Sequence, residues 1–135
     1  MKTAFLFPGQ GSQKVGMGRD LYENTEIGKS YFNKADAIME CDLSSIIFNG
    51  PNNKLKETRF TQPALFTVSV ILGRLLIDKG IKPDFVAGHS LGEFSAFTIA
   101  NSFDFEIGLK LSLIHISEPT RPRLRSYAVF CLKKK

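Results

Sequence analysis

The sequence predicts an α/β fold built on a parallel β-sheet. Two short apolar runs, Lys2 to Phe7 and Asp84 to Gly88, have the length and composition of buried strands. Between them, apolar residues recur at three- and four-residue steps, which is the spacing of amphipathic helices. Strands that alternate with helices usually pair in parallel. Two strands are few for such a sheet, so either it has strands that this pattern does not reveal or the chain stops early.

The first predicted strand leads into a glycine-rich loop. Pro8 stops the strand, and the two glycines of Gly9 to Gly11 indicate a tight loop whose backbone approaches another group closely. A dinucleotide-binding fingerprint would need a further glycine at position 14, where the sequence has Lys14. The spacing therefore argues against a dinucleotide site.

Three helical segments are predicted next. Arg19 to Tyr22 forms a short turn of helix, and Glu26 to Met39 forms an amphipathic helix that Thr25 caps. Asp42 is the predicted cap of a shorter helix that ends at Gly50. These segments account for the chain between the first loop and the polar stretch that follows.

The polar stretch from Pro51 to Arg59 is predicted to be a surface loop that leads into the most apolar helix. Thr61-Gln62-Pro63 begins this helix, since proline is tolerated early in a helix, and Gly80 ends it. We interpret its apolar stripe as core packing. The stripe consists of Leu65, Val68, Ile71, Leu72, Leu75 and Leu76.

The stretch FVAGHSLGE, from Phe85 to Glu93, places a Gly-x-Ser-x-Gly pattern between a strand and a helix. Gly88 and Gly92 flank Ser90 at its second neighbours. This is the layout of a nucleophile elbow, in which a sharp turn presents the serine oxygen above the sheet. The pattern indicates a catalytic serine rather than an ordinary turn.

Two helices are predicted after this turn. The first runs from Ser90 to about Ala100, and the second begins at Asp104. The start of the first helix places the amide of Leu91 where unpaired N–H groups favour a developing negative oxygen. The sequence therefore predicts one oxyanion donor directly beside the nucleophile.

Charge and cysteine usage argue against several function classes. The formal net charge of +5 resides after Lys110, because the first 110 residues hold twelve basic and twelve acidic side chains. The basic balance is thus no argument for nucleic acid binding by the folded part. Cys41 and Cys131 are far apart and lack metal-type spacing, which favours a reducing cytoplasm. The apolar runs are too short for a signal peptide or a membrane span.

Four motifs carry a resemblance to one enzyme family. They are FPGQGSQ at 7–13, VGMG at 15–18, TQPAL at 61–65 and GHSLGE at 88–93. With these motifs, residues 1–110 resemble the malonyl-CoA:acyl-carrier-protein transacylases of bacterial fatty acid synthesis and the related acyltransferase domains of polyketide synthases. The resemblance implies a partial α/β-hydrolase-like parallel sheet with flanking helices, truncated before the family's small ferredoxin-like subdomain.

The chemistry that the resemblance implies is malonyl transfer through a serine ester. Ser90 attacks the thioester of malonyl-CoA, coenzyme A leaves, and the malonyl group passes to the phosphopantetheine thiol of acyl carrier protein. The backbone N–H groups of Gln10 and Leu91 form the oxyanion hole. The implied partners are malonyl-CoA and acyl carrier protein, with no bound cofactor, metal, nucleic acid or membrane, for a monomeric parent enzyme.

The glycines and several polar residues in these motifs are expected to have supporting roles. The loop and elbow glycines, Gly9, Gly11, Gly88 and Gly92, let backbone segments approach one another. Gln62 matches a position near the family's active site, although a hydrogen bond at the helix start explains it equally well. His89 is expected to be packed and to point away from Ser90, and Glu93 is expected to support the helix start.

Beyond Lys110 the resemblance ends. The string LSLIHISEPTR resembles translated sequencing adapter, so we expect residues 111–135 to be a non-native, disordered tail; the alternative is a natural basic tail. The family's catalytic histidine would lie beyond residue 135, and its carboxylate-binding arginine just past Lys110. We therefore expect the 135-residue chain to be inactive.

Two alternatives remain open at this stage. The elbow alone is also compatible with a serine esterase or thioesterase of the α/β-hydrolase type, although GQGSQ and TQPAL favour the transferase. Methylmalonyl or acetyl transfer is equally compatible with the sequence, because the arginine that discriminates among acyl groups is not present.

Overall fold

The computed structural model describes residues 2–116 and 131–133, in which strands and helices follow one another along the chain. The strands are β1 (Ala4–Phe7), β2 (Phe85–Gly88) and β3 (Cys131–Lys133). The helices are α1 (Arg19–Asn24), α2 (Glu26–Met39), α3 (Leu43–Asn49), α4 (Asn52–Leu55), α5 (Thr58–Asp78), α6 (Gly92–Ile99) and α7 (Phe105–Ile116).

The sheet brings the first loop and the elbow to the same end. Within the described residues its order is β1-β2-β3. β1 and β2 are parallel, with Ala4 opposite Phe85 and Phe7 opposite Gly88, as the sequence predicts. β3 runs antiparallel to β2. Because parallel strands end at one edge, the segments that follow Phe7 and Gly88 lie side by side.

The helices α2 and α3 have the caps that the sequence predicts. The Thr25 side chain accepts a hydrogen bond from the Gly28 amide at 2.9 Å, and Asp42 Oδ1 accepts one from the Ser45 amide at 3.1 Å. Each cap satisfies one of the amides that a helix start leaves unpaired. The bounds of α2 agree with its apolar spacing.

The polar stretch before α5 is not a loop, contrary to the expectation from its composition. It contains α4 and the first turn of α5, which begins at Thr58 rather than Thr61. Leu55 is fully buried and fixes α4 to the core. Pro63 therefore lies inside the helix, in its second turn. A short helix with one buried residue gives too weak an apolar pattern to detect.

The stripe along α5 divides between core and surface. Ile71 is fully buried, but Leu72 is 47% exposed and Leu76 is 38% exposed, so the core interpretation is wrong for the last two. With Leu6 of β1 they line a groove of about 490 Å³. Contrary to the expectation from the apolar run alone, α5 is long and apolar enough to cross a membrane, but 72% of its most apolar segment is buried in the fold, as in a core helix.

Aromatic side chains join the helices α2, α5 and α7, which we call the helical side of the molecule. Phe105 of α7 stacks on Tyr31 of α2 at 4.7 Å between ring centroids and contacts Phe66 of α5 at 5.4 Å. Phe66 is fully buried. These rings and the aliphatic residues around them form the centre of the core.

α7 extends past the point where the resemblance ends. It begins after Asp104, whose side chain accepts a hydrogen bond from the Ile107 amide, and it continues through Lys110 to Ile116. Ser112 is fully buried and donates to the Leu109 carbonyl. Residues 111–116 are thus helical and residues 131–133 form a strand, unlike the disordered tail that we expected. Residues 117–130, 134 and 135 lie outside the described residues.

Candidate active site

The backbone at Ser90 has the conformation of a nucleophile elbow. Ser90 lies between the end of β2 and the start of α6, with a φ of 54°, and its side chain is half-buried. A positive φ is uncommon for a residue with a side chain and indicates a functional constraint. The turn is short, since the Gly92 amide already donates to the His89 carbonyl at 2.9 Å.

The two glycines around Ser90 are required by close contacts. A Cβ on Gly88 would overlap the carbonyl group of Gly92, and a Cβ on Gly92 would overlap the carbonyl oxygen of Phe7. β1, β2 and α6 therefore approach one another through backbone alone. The Gly-x-Ser-x-Gly spacing follows from this packing.

The loop after β1 packs directly against the elbow. A Cβ on Gly9 would stand 2.8 Å from the His89 carbonyl oxygen and 3.5 Å from Ser90 Cβ. The His89 amide also donates to the Phe7 carbonyl at 3.1 Å. The GQG loop and the serine, which are about 80 residues apart in the sequence, thus form one site.

This arrangement matches a known family. The acyl transferase domain profile matches residues 4–114. The chain belongs to the acyl transferase domain family. The match ends four residues beyond Lys110, inside α7.

Relatives and solved structures of the acyl transferase family agree on one kind of enzyme. The chain is 50% identical over 105 residues to the malonyl CoA-acyl carrier protein transacylase of Bacillus subtilis, covering 78% of this chain and 33% of that protein. The crystal structure of the Synechocystis transacylase is similar with a TM-score of 0.80 at 49% identity, covering 84% of this chain and 38% of that one. A complex of a type II polyketide acyl carrier protein with its malonyl transacylase has a TM-score of 0.81 at 36% identity, and the match covers 90% of this chain and 40% of that one. The chain spans about a third of the length of the curated relatives.

The amides of Gln10 and Leu91, which the sequence assigns to an oxyanion hole, are not used in the backbone hydrogen bonding of the described residues. Within the described part of the chain, neither N–H donates a hydrogen bond. Leu91 is fully buried and immediately precedes α6, where helix geometry leaves amides unpaired. Gly11 has open space around it and a φ of 115°, so the conformation of the loop also requires glycine there.

The Gln62 side chain contacts the GQG loop. It is 5% exposed, and its Nε2 donates to Gln10 Oε1 at 2.9 Å. Gln10 Nε2 in turn lies 3.5 Å from Thr58 Oγ1. Gln62 lies in the second turn of α5, so the expected hydrogen bond at the helix start is wrong. Sequence reasoning missed Thr58, because it falls in the stretch that was predicted to be a loop.

The remaining polar residues have limited roles in this acyl transferase site. His89 is exposed rather than packed, although its backbone joins the elbow to β1. Glu93 lies in the first turn of α6, as expected. Gln13 Oε1 accepts a hydrogen bond from the Gly11 amide at 2.8 Å and braces the loop. Among the described residues, no three His, Cys, Asp or Glu side chains lie close enough to hold a metal ion.

Proposed function

We propose that this chain carries the nucleophile and the oxyanion hole of a malonyl-CoA:acyl-carrier-protein transacylase. The observation that carries the proposal is the contact between Gly9 and the His89–Ser90 backbone, with Ser90 at positive φ. The contact brings a loop with an unpaired amide against a serine with the backbone conformation of a nucleophile. The names of the relatives supply the acyl group and the acceptor.

The reaction has two acyl transfers. Ser90 Oγ attacks the thioester carbon of malonyl-CoA and loses its proton to a base; the C–S bond breaks, and coenzyme A leaves as the thiol. The phosphopantetheine thiol of acyl carrier protein then attacks the malonyl-serine ester and restores the hydroxyl. In both steps the carbonyl oxygen becomes negative, and the amides of Gln10 and Leu91 stabilise it. Removal of one such donor typically costs about 100- to 1000-fold in rate.

The base and the carboxylate anchor come from other parts of the enzyme in this proposal. A serine hydroxyl needs a neighbouring base. His89 is next to Ser90 in the elbow and its side chain is exposed, and we do not assign it as this base. We infer that the histidine belongs to the two thirds of the relatives' length that this chain does not span, and that the arginine that pairs with the malonyl carboxylate lies just past Lys110 in the parent enzyme. The sheet would then be part of an α/β-hydrolase-like core in a cytoplasmic enzyme.

A chimera tests this proposal. Residues 4–114 of this chain replace the matching segment of the Synechocystis transacylase, and the product is assayed with labelled malonyl-CoA and holo acyl carrier protein. We expect malonyl transfer, with label on Ser90 by mass spectrometry, and loss of both in Ser90→Ala. A chimera that melts cooperatively but transfers nothing would contradict the proposal. Hydrolysis without transfer would favour a serine esterase instead.

The 135-residue chain provides the complementary measurement. Without the base and the arginine, we expect Ser90 to be malonylated far more slowly than one enzyme turnover. Its matched control is the same chain with Ser90→Ala. Rapid malonylation of Ser90 in the 135-residue chain would show that the site is complete without further segments.

A further inference from the structure

Three side chains connect α5 to the GQG loop. Gln62 Nε2 donates to Gln10 Oε1 at 2.9 Å, and Gln10 Nε2 reaches Thr58 Oγ1 at 3.5 Å. Thr58 and Gln62 are four residues apart on α5 and therefore lie on the same face of the helix. We call these three residues the amide clamp. The clamp holds Gln10 from two successive turns of α5.

Gln62 is not explained by the stability of the core. Its side chain is 95% buried, and its Oε1 has no hydrogen-bond partner among the described residues. An unpaired buried acceptor destabilises a fold, and an apolar side chain of equal length would avoid that penalty. The benefit of glutamine at this position must therefore come from its single contact with Gln10.

Gln10 lies between two positions of the loop that contacts hold in place. Gly9 is held by its contact with the elbow, and the Gly11 amide is held by Gln13 Oε1 at 2.8 Å. Between them, Gln10 is exposed and its amide makes no hydrogen bond in the described part of the chain. The Gln10 side chain is thus the group through which α5 can set the direction of the Gln10 backbone N–H.

We infer that Gln62 is a positioning residue that holds the Gln10 amide in its oxyanion-binding orientation through the amide clamp. This inference rests on the proposed function for the role of the amide, but the clamp itself is a property of this chain. Gln62 acts on the acyl group only through Gln10. The catalytic contact is the backbone N–H, so Gln10 can lose its side chain without losing the donor.

Hydrogen exchange by NMR tests the clamp in the 135-residue chain without any substrate. The variants are Gln62→Met, Gln10→Met and the double variant, since methionine keeps the length and removes the amide. We expect exchange of the Gly11 amide, which donates to Gln13 Oε1 in the same loop, to rise by up to about tenfold in each single variant. The double variant should exchange no faster than Gln10→Met alone, because that change already removes the bond that Gln62→Met breaks.

Thermal stability separates positioning from packing. Gln62→Met should leave Tm unchanged or raise it, since the unpaired acceptor is removed. Ser69→Ala is the matched control: Ser69 is also buried on α5, two turns further along, and should leave exchange in the loop unchanged. A lower Tm with unchanged loop exchange in Gln62→Met would overturn the inference, and so would additive effects in the double variant.

The chimera extends the test to catalysis. Gln62→Met should lower kcat for malonyl transfer by about tenfold to a hundredfold, because a displaced donor no longer meets the charged oxygen. KM for malonyl-CoA should change little. Faster loop exchange with an unchanged kcat would overturn the positioning role. Failure of the unsubstituted chimera to transfer malonyl would count against the proposed function. The exchange data would still show whether the amide clamp holds the GQG loop.

Discussion

The helical side of the molecule and the end of the sheet are built on opposite principles. On the helical side, Phe66 and Phe105 fill the space between helices, and side chains such as Thr25 cap the helix ends. At the end of the sheet, glycines let backbones touch and Ser90 has a positive φ. The first region uses its polar and apolar groups for stability. The second leaves the amides of Gln10 and Leu91 without a hydrogen bond among the described residues, as the proposed oxyanion hole requires.

The largest effect should come from filling backbone contacts at the end of the sheet. Gly88→Ala places a Cβ into the carbonyl group of Gly92, so we expect a loss of more than about 4 kcal/mol or no folding. Gly80→Ala is the control, because Gly80 has a positive φ of 91° but open space around it; its cost should be about 1 to 2 kcal/mol. Urea unfolding measures both. Because Gly88 does not have a positive φ, equal costs would mean that small backbone shifts relieve its contact with Gly92.

A second pair of variants compares the two faces of α5. Phe66→Ala should cost about 3 to 5 kcal/mol, because Phe66 is fully buried in the aromatic cluster. Leu72→Ala lies on the same helix but faces the groove, and it should cost under about 1 kcal/mol. The same unfolding experiment gives both values. A large cost for Leu72→Ala would show that its face is covered in solution.

A helix cap on the helical side should have a smaller effect. Thr25→Ala removes the acceptor for the Gly28 amide and should cost about 1 kcal/mol. Thr25→Ser keeps the hydroxyl and should retain most of the stability. Thermal unfolding followed by circular dichroism measures the difference. A serine variant as unstable as the alanine variant would assign the effect to the lost methyl group and not to the cap.

The smallest effect concerns charge on the helical side. Burial raises the pKa of Asp36 above its ordinary value of 3.8, although a hydrogen bond from the Ser44 amide opposes the rise. The folded chain then binds this proton more tightly than the unfolded chain, so the contribution of Asp36 to stability falls as pH rises from below 3.8 through the folded pKa. Asp36→Asn should weaken this decline by less than about 0.5 kcal/mol. Urea midpoints between pH 4 and pH 7 test the sign, and a steeper decline in the variant would contradict it.

The sequence predicts much of the helical side and the backbone geometry of the elbow. The bounds of α2, the caps Thr25 and Asp42, and the parallel pairing of β1 with β2 are confirmed. Each depends on local spacing or on one side chain next to a helix start. The Gly-x-Ser-x-Gly motif likewise signals its own backbone geometry.

Side-chain contacts between distant segments could not be predicted. The Gln62–Gln10 bond joins residues 52 positions apart, and nothing in either local sequence indicates that the two side chains meet. The exposure of Leu72 and Leu76 was missed for a related reason. An apolar stripe shows that a helix has an apolar face, but only the tertiary structure shows how far along the helix other elements cover that face.

The register of β1 against β2 also determines when the site can form during folding. Phe7 and Gly88 lie opposite each other although 81 residues separate them, so pairing them closes a long loop before any contact compensates the lost chain entropy. Local helices can form much sooner. A peptide that contains the elbow without β1 would therefore lack the geometry around Ser90, and the serine should acquire its surroundings only at a late stage of folding.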